Sequence, residues 1–192
     1  MKHSGVFIEK SARIDSPCTI GKGTKIWHFS HVSCGARIGK NCILGQNVFI
    51  GKNVRIGDRA KIQNNVSIYE GVTLEDGVFC GPGMIFTNVK TPRAFISRKN
   101  AFEKTLVKKS VSIGAHATIV CGNTLGEFCM VGAGAVVTKD IPAHALVLGV
   151  PARQAGWVCS CGRRLAKNLK CLTCKKPYKK TKSGLKARPG RR

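Results

Sequence analysis

The sequence predicts an all-β protein, a parallel β-helix wound around one column of aliphatic side chains. Three observations predict it. An aliphatic residue recurs at every sixth position: Ile8, Ile14, Ile20, Ile26, Val32, Ile38, Leu44, Ile50, Ile56, Ile62, Ile68 and Leu74, followed in phase by Cys80 and Phe86. The period resumes at Val107, Ile113, Ile119, Leu125, Val131 and Val137, so eighteen of twenty slots hold Ile, Leu or Val. Three residues after the slot stands Gly or Asn in eleven of the twenty repeats. These types enter left-handed backbone cheaply. A period of six is neither helical nor a plain alternation. It fits a short strand and a sharp turn, one hexapeptide to each face of a solenoid.

Each element of the repeat has a reason. Four residues after the aliphatic sits a small or β-branched residue, as at Ala12, Cys18, Thr24, Ser30, Ala36 and Cys42. One large and one small side chain therefore point inward per repeat. Cys18, Cys42, Cys80 and Cys129 fall on inward slots, where Cys acts as a small apolar residue. Cys34 and Cys121 fall at turns, and none of the six has a catalytic partner in sequence. His116 occupies the third-after-aliphatic slot and reads as a left-handed turn residue. His144 lies beyond the last repeat and reads as a packing or capping residue.

Length and charge bound the organisation. The 192 residues suit one domain with a small appendage. No 18-residue apolar run occurs, so membrane insertion is not expected. The first residues lack the apolar core of a signal peptide, so a cytoplasmic location with reduced or metal-bound thiols is expected. Net charge is +24; residues 159–192 hold 13 Lys/Arg and no acid. The chain thus divides near Trp157 into a solenoid (1–156), a cysteine-bearing module (157–178) and a basic tail (179–192) that lacks core residues and is expected to be disordered. No Walker loop or GxGxxG follows a strand, which leaves nucleotide hydrolysis and dinucleotide redox chemistry unsupported.

The phase breaks between Phe86 and Val107, a gap of 21 that is not a multiple of six. Residues 87–106 must therefore leave the solenoid as a surface loop. The loop carries Lys90, Arg93, Arg98, Lys99 and Lys104 against the single acid Glu103. It reads either as a loop for an anionic ligand or as a solvated loop packed on a neighbouring copy.

Four cysteines stand apart: Cys159-x-Cys161 and, after nine intervening residues, Cys171-x-x-Cys174. Two close pairs across a short segment match a zinc ribbon, with structural Zn2+ held by four thiolates. The first pair is one residue tighter than the usual spacing, and the alternative is four buried or oxidation-prone thiols. Nucleic acid or an anionic membrane surface is a conceivable partner for the basic end, but only Tyr178 offers a stacking ring, and nucleic acid is not favoured.

The repeat, with IWHFSHV (26–32), the stretch from IQNN to TPRA (62–94), TIVCG (118–122) and GVPAR (149–153), resembles the hexapeptide-repeat transferases. Their left-handed parallel β-helix is a three-sided prism, so twenty repeats imply six to seven coils. Within that family the resemblance, over residues 8–157, is to N-acetyltransferases of UDP-2-acetamido-3-amino-2,3-dideoxyglucuronate and related nucleotide sugars of surface-polysaccharide biosynthesis. The resemblance implies a homotrimer with ligands between subunits, and attack of a sugar amine on acetyl-CoA. It implies that Asn88 orients sugar and acyl group without a protein base, which suits a loop that contains no histidine. Arg93, Arg98 and Lys99 are then expected at the sugar nucleotide's anionic groups. His28 and His31 are expected either as substrate contacts in an intersubunit cleft or as surface packing. Acetyl-CoA is expected along the late coils, at Gly114, Ala115, Gly132 and Ala133, with Lys139 and Arg153 at its phosphates. The competing readings are a non-catalytic scaffold, a carbonic-anhydrase-like assembly, for which His28 and His31 lack a third ligand, and a solenoid tethered to nucleic acid.

Overall fold

The computed structural model describes residues 4–188, in which three sheets of parallel strands enclose the main core and a small C-terminal module packs at its end. Face A stacks parallel strands from Phe7–Ile8 to Ala145–Leu148. Face B runs from Arg13–Ile14 to Val136–Val137, and face C from Thr19–Ile20 to Thr124–Leu125. All twenty predicted slots lie on strands. Among the described residues there is no helix, and so none long and apolar enough to cross a membrane.

The slot residues are the core. Ile26, Leu44, Ile62 and Ile113 on face A, and Val32, Ile50, Ile68 and Ile119 on face B, have no exposed surface. Burying each such side chain stabilises by roughly 1.5–3 kcal/mol before conformational entropy is offset. At two polar inward slots, Thr24 and Ser30, the next coil satisfies the hydroxyl. The Thr24 hydroxyl donates to Gly39 O at 2.8 Å and accepts from Cys42 N at 3.0 Å. Ser30 does the same with Gly45 O and Val48 N.

Most of the turn residues take left-handed backbone whatever their type. Asn41, Asn47, Asn53 and Asn65 have φ near +57°, and His116 has φ +53°. Phe29, Arg59, Ser110 and Phe128 occupy the same slot with the same sign of φ, a strain that coil stacking imposes on them.

Two features extend the predicted plan. The period is lost after Val137, yet Ile141 bridges Leu125 in parallel and Val147 pairs with Val131. Both are buried, so the prism closes seven coils and begins an eighth. The basic tail also departs from expectation. Tyr178–Thr181 and Gly184–Ala187 form an antiparallel hairpin. Tyr178 and Leu185 are buried with Cys159, Leu165 and Cys171, and Gly184 bridges Ala143 of the last coil. Two apolar anchors and a docking edge order a segment whose composition alone reads as coil; residues 189–192 of the predicted tail lie outside the described residues.

Candidate functional site

The interruption is an excursion from the B–C edge. Partners on neighbouring coils are 18 residues apart, as in Ile20–Ile38 and Ile38–Ile56. Leu74–Val107, Cys80–Ile113 and Phe86–Ile119 are each 33 apart, so fifteen residues are inserted without shifting any face. The neck is clamped. Glu103 N donates to Asn88 O at 3.0 Å, and Cys121 N donates to Thr87 Oγ1 at 3.0 Å. Lys90 Nζ lies 2.8 Å from Glu103 Oε2, and that hydrogen bond raises the lysine's pKa. Asn88 is thereby fixed by its backbone. Its half-buried side-chain amide makes no hydrogen bond among the described residues.

The excursion encloses two hollows. Arg93, Arg98 and Lys99 come together around the smaller, of about 390 Å³, with Val89, Ile96 and Phe102. Arg98 Nε is buried there without a hydrogen-bond partner. The larger, about 780 Å³, opens between the excursion and face C, and Lys99 and Phe102 border both. Sequence reasoning missed Arg55 in its lining and counted Lys104 only among the loop's charges. A signal existed: Arg37 and Arg55 are 18 residues apart on outward slots, and the fold pairs them directly.

The other expected site residues lie elsewhere. Gly114, Ala115, Gly132 and Ala133 stack at the A–B edge, across face B from Asn88. A Cβ on Gly114 would strike the backbone of Gly132 and Ala133, so coil contact itself demands that glycine. Lys139 is exposed on the B–C edge. Arg153 is exposed on Arg153–Trp157, antiparallel to the end of face A, and pairs with no carboxylate among the described residues. His28 Nδ1 lies 3.0 Å from Glu9, and His31 Nε2 lies 2.9 Å from Asp15. The His31 hydrogen bond holds the Asp15 carboxyl below its usual range. His31 sits three strands from Ile85 on face B, about 14 Å from the excursion's root at the spacing of sheet strands. The fold does not bring these histidines to the excursion.

The four module cysteines do converge. Their sulfurs lie within 4.8 Å of one another. Cys159–Cys174 are 3.3 Å apart and Cys161–Cys171 3.7 Å. Tetrahedral Zn–S bonds of about 2.3 Å would place sulfurs about 3.8 Å apart. Two small knuckles present them: Val158 bridges Arg164 around the first pair, and Lys170 bridges Pro177 around the second. The left-handed Gly162 (φ +85°) lets the tight first pair turn. Burial opposes ionisation of Cys159, yet the Cys161 amide and the Tyr178 hydroxyl outweigh it and bring the thiol down to about 6. Cys174 is favoured as thiolate by the Lys176 amide, but the neighbouring sulfurs win and push it up to about 11. Four such thiolates cannot coexist without a cation, and the donor set fits a dication with no open position.

Comparison with known proteins agrees with this architecture. The bacterial transferase hexapeptide model (six repeats) matches residues 17–52, and the hexapeptide repeat of succinyl-transferase matches 35–70 and 109–139. Over 81 residues the chain is 52% identical to dTDP-3-amino-3,6-dideoxy-alpha-D-galactopyranose 3-N-acetyltransferase of Aneurinibacillus thermoaerophilus. That match spans 41% of this chain and 42% of that enzyme. The fold superposes on a point mutant of AntD, an N-acyltransferase from Bacillus cereus, with a TM-score of 0.57 and 24% identity over 85% of this chain and 83% of that one. It also superposes on a hexapeptide transferase family protein from Anaplasma phagocytophilum, with a TM-score of 0.54 and 19% identity over 81% and 77%. The chain thus carries hexapeptide repeats like those of the bacterial transferases over residues 17–70 and 109–139, and it shares their solenoid fold.

Proposed function

We propose that the protein transfers an acetyl group from acetyl-CoA to the amine of a nucleotide-linked amino sugar. The observation that carries this reading is the 52% identity to an enzyme named for that chemistry, in a chain whose one insertion is a cationic excursion over a large cleft. A neutral amine is already a nucleophile, so most of the barrier can be met by positioning amine and thioester. Asn88, clamped by its backbone with a free side-chain amide, orients the reacting groups and offers a donor to the oxygen as charge builds on it. The proton leaves the ammonium intermediate to solvent, since the excursion holds no histidine. A UDP-linked uronate, with surface polysaccharide as the destination, is the substrate class that the excursion's motif favours.

The active form is a homotrimer in this reading. Asn88 and the Gly114–Gly132 edge lie on opposite sides of face B, so a site using both needs a neighbouring copy. Exposed Phe79 and Ile85, on adjoining faces, give that copy an apolar surface to cover. Lys139 and Arg153 then meet the phosphates of acetyl-CoA. The cysteine module holds one structural Zn2+. Tyr178, the one aromatic residue after Trp157, is buried and cannot stack on a base, which disfavours nucleic acid as the partner of the basic end. A cytoplasmic reaction suits both the need for acetyl-CoA and thiols that stay reduced or metal-bound.

Thiol release from acetyl-CoA, measured with a panel of UDP- and dTDP-amino sugars, tests the proposal. Release with none of them, or with 3-hydroxy analogues equally, removes it.

A further inference from the structure

The cleft between the excursion and face C carries more positive charge than its own acids neutralise. Arg55 lies on its floor, Lys99 and Lys104 on its roof, and Glu70 on its wall. Glu70 is already engaged, accepting from Asn53 Nδ2 at 3.1 Å. Among the described residues, none of Arg37, Arg55, Lys99 and Lys104 forms an ion pair. Arg37 and Arg55 are moreover direct partners on adjacent parallel strands. Like charges about 4.8 Å apart in a ladder destabilise it unless something anionic sits over them.

We infer that this cleft seats the diphosphate of a nucleoside diphosphate, gripped by Arg55 from face C and by Lys104 from the excursion. The inference rests on the proposed sugar-nucleotide substrate and assigns its phosphates to residues outside the loop's motif. A guanidinium matches two phosphoryl oxygens at once, and an ammonium adds a movable point charge. A volume of about 780 Å³ lies in the range of small-ligand sites. Arg93 and Arg98, in the adjoining hollow, are left for the sugar's own anionic group.

Calorimetric titration of the full chain with UDP, uridine and CoA tests this, comparing wild type with Arg55→Ala and Lys104→Ala. Both side chains are outward, and unchanged CoA affinity certifies that each variant is folded. Each variant should bind UDP about tenfold or more weakly, with uridine and CoA unaffected. Raised salt should weaken wild-type UDP binding more than that of Arg55→Ala. UDP affinities within twofold of wild type in both variants overturn the inference. So does a loss that falls on CoA, which would give the cleft to the cofactor's phosphates. Arg55-dependent UDP binding in a protein that acetylates no amino sugar upholds the cleft and removes only the proposed reaction.

Discussion

The Tyr178 ring meets the His144 ring edge-on, with centroids 4.9 Å apart. His144 in turn stacks flat on Phe128 at 5.0 Å and donates from Nδ1 to Val158 O at 2.9 Å. The Tyr178 hydroxyl reaches Cys159 Sγ at 3.1 Å and accepts from Ser160 N at 2.9 Å. Cysteine module and last coil therefore share one packed layer. Metal analysis should find about one zinc per chain. Cys171→Ser should abolish it and lower Tm on the order of 5–10 °C. A metal-free protein with four titratable thiols and an unchanged Tm would contradict both statements.

Burial lowers the pKa of His144 below its usual 6.5. The folded state then binds fewer protons than the unfolded state in the window between the two values. Stability from a neutral His144 is complete above about 6.5 and is lost as pH falls toward the folded value. The difference in Tm between wild type and His144→Phe should therefore shift in the variant's favour between pH 7 and pH 5. Parallel melting curves across that range would show that His144 does not titrate on unfolding.

Gly134 and Gly114 separate two costs of adding a methyl group. A Cβ on Gly134 meets nothing within 4 Å, but its φ of +67° strains an L residue, so Gly134→Ala should cost about 1–2 kcal/mol. On Gly114 the same atom strikes the next coil's backbone, so Gly114→Ala should cost clearly more. Denaturant titration of both variants decides; equal losses would mean that the coils relax to absorb the clash.

With the proposed role of its amide on the forming intermediate, Asn88→Ala should lower kcat about a hundredfold while changing the sugar KM less. Steady-state kinetics with the sugar identified by thiol release provide the check. An unaltered kcat would take Asn88 out of the reaction.

Phe79→Glu and Ile85→Glu should convert a trimer to monomers, since each places a charge on an apolar surface that a neighbour must cover. Light scattering reads the mass directly. A wild type that is already monomeric would remove the intersubunit site.

Much of the fold was legible because its information is local. A hexapeptide states its own strand, its inward pair and its turn, and even His116 at an unfavoured φ was readable from its slot. What could not be read depends on contacts distant in sequence. The Tyr178–Ala187 hairpin has few apolar residues, and Tyr178, Leu185 and Gly184 order it only against Cys171 and Ala143. Ile141 was hidden because the turn between Val137 and Ile141 is two residues short, so Ile141 and Val147 stand six apart but out of phase with the earlier slots. At the site, residue type identified the cationic loop. Arg55 joined Lys104 only when the excursion was folded back over face C.

The fifteen inserted residues leave every ladder in register, from Leu74–Val107 to Phe86–Ile119. A scaffold with that tolerance decouples specificity from foldability. The excursion can be lengthened, shortened or exchanged as a cassette, and new acceptors can be explored while the column beneath it keeps the same set of contacts.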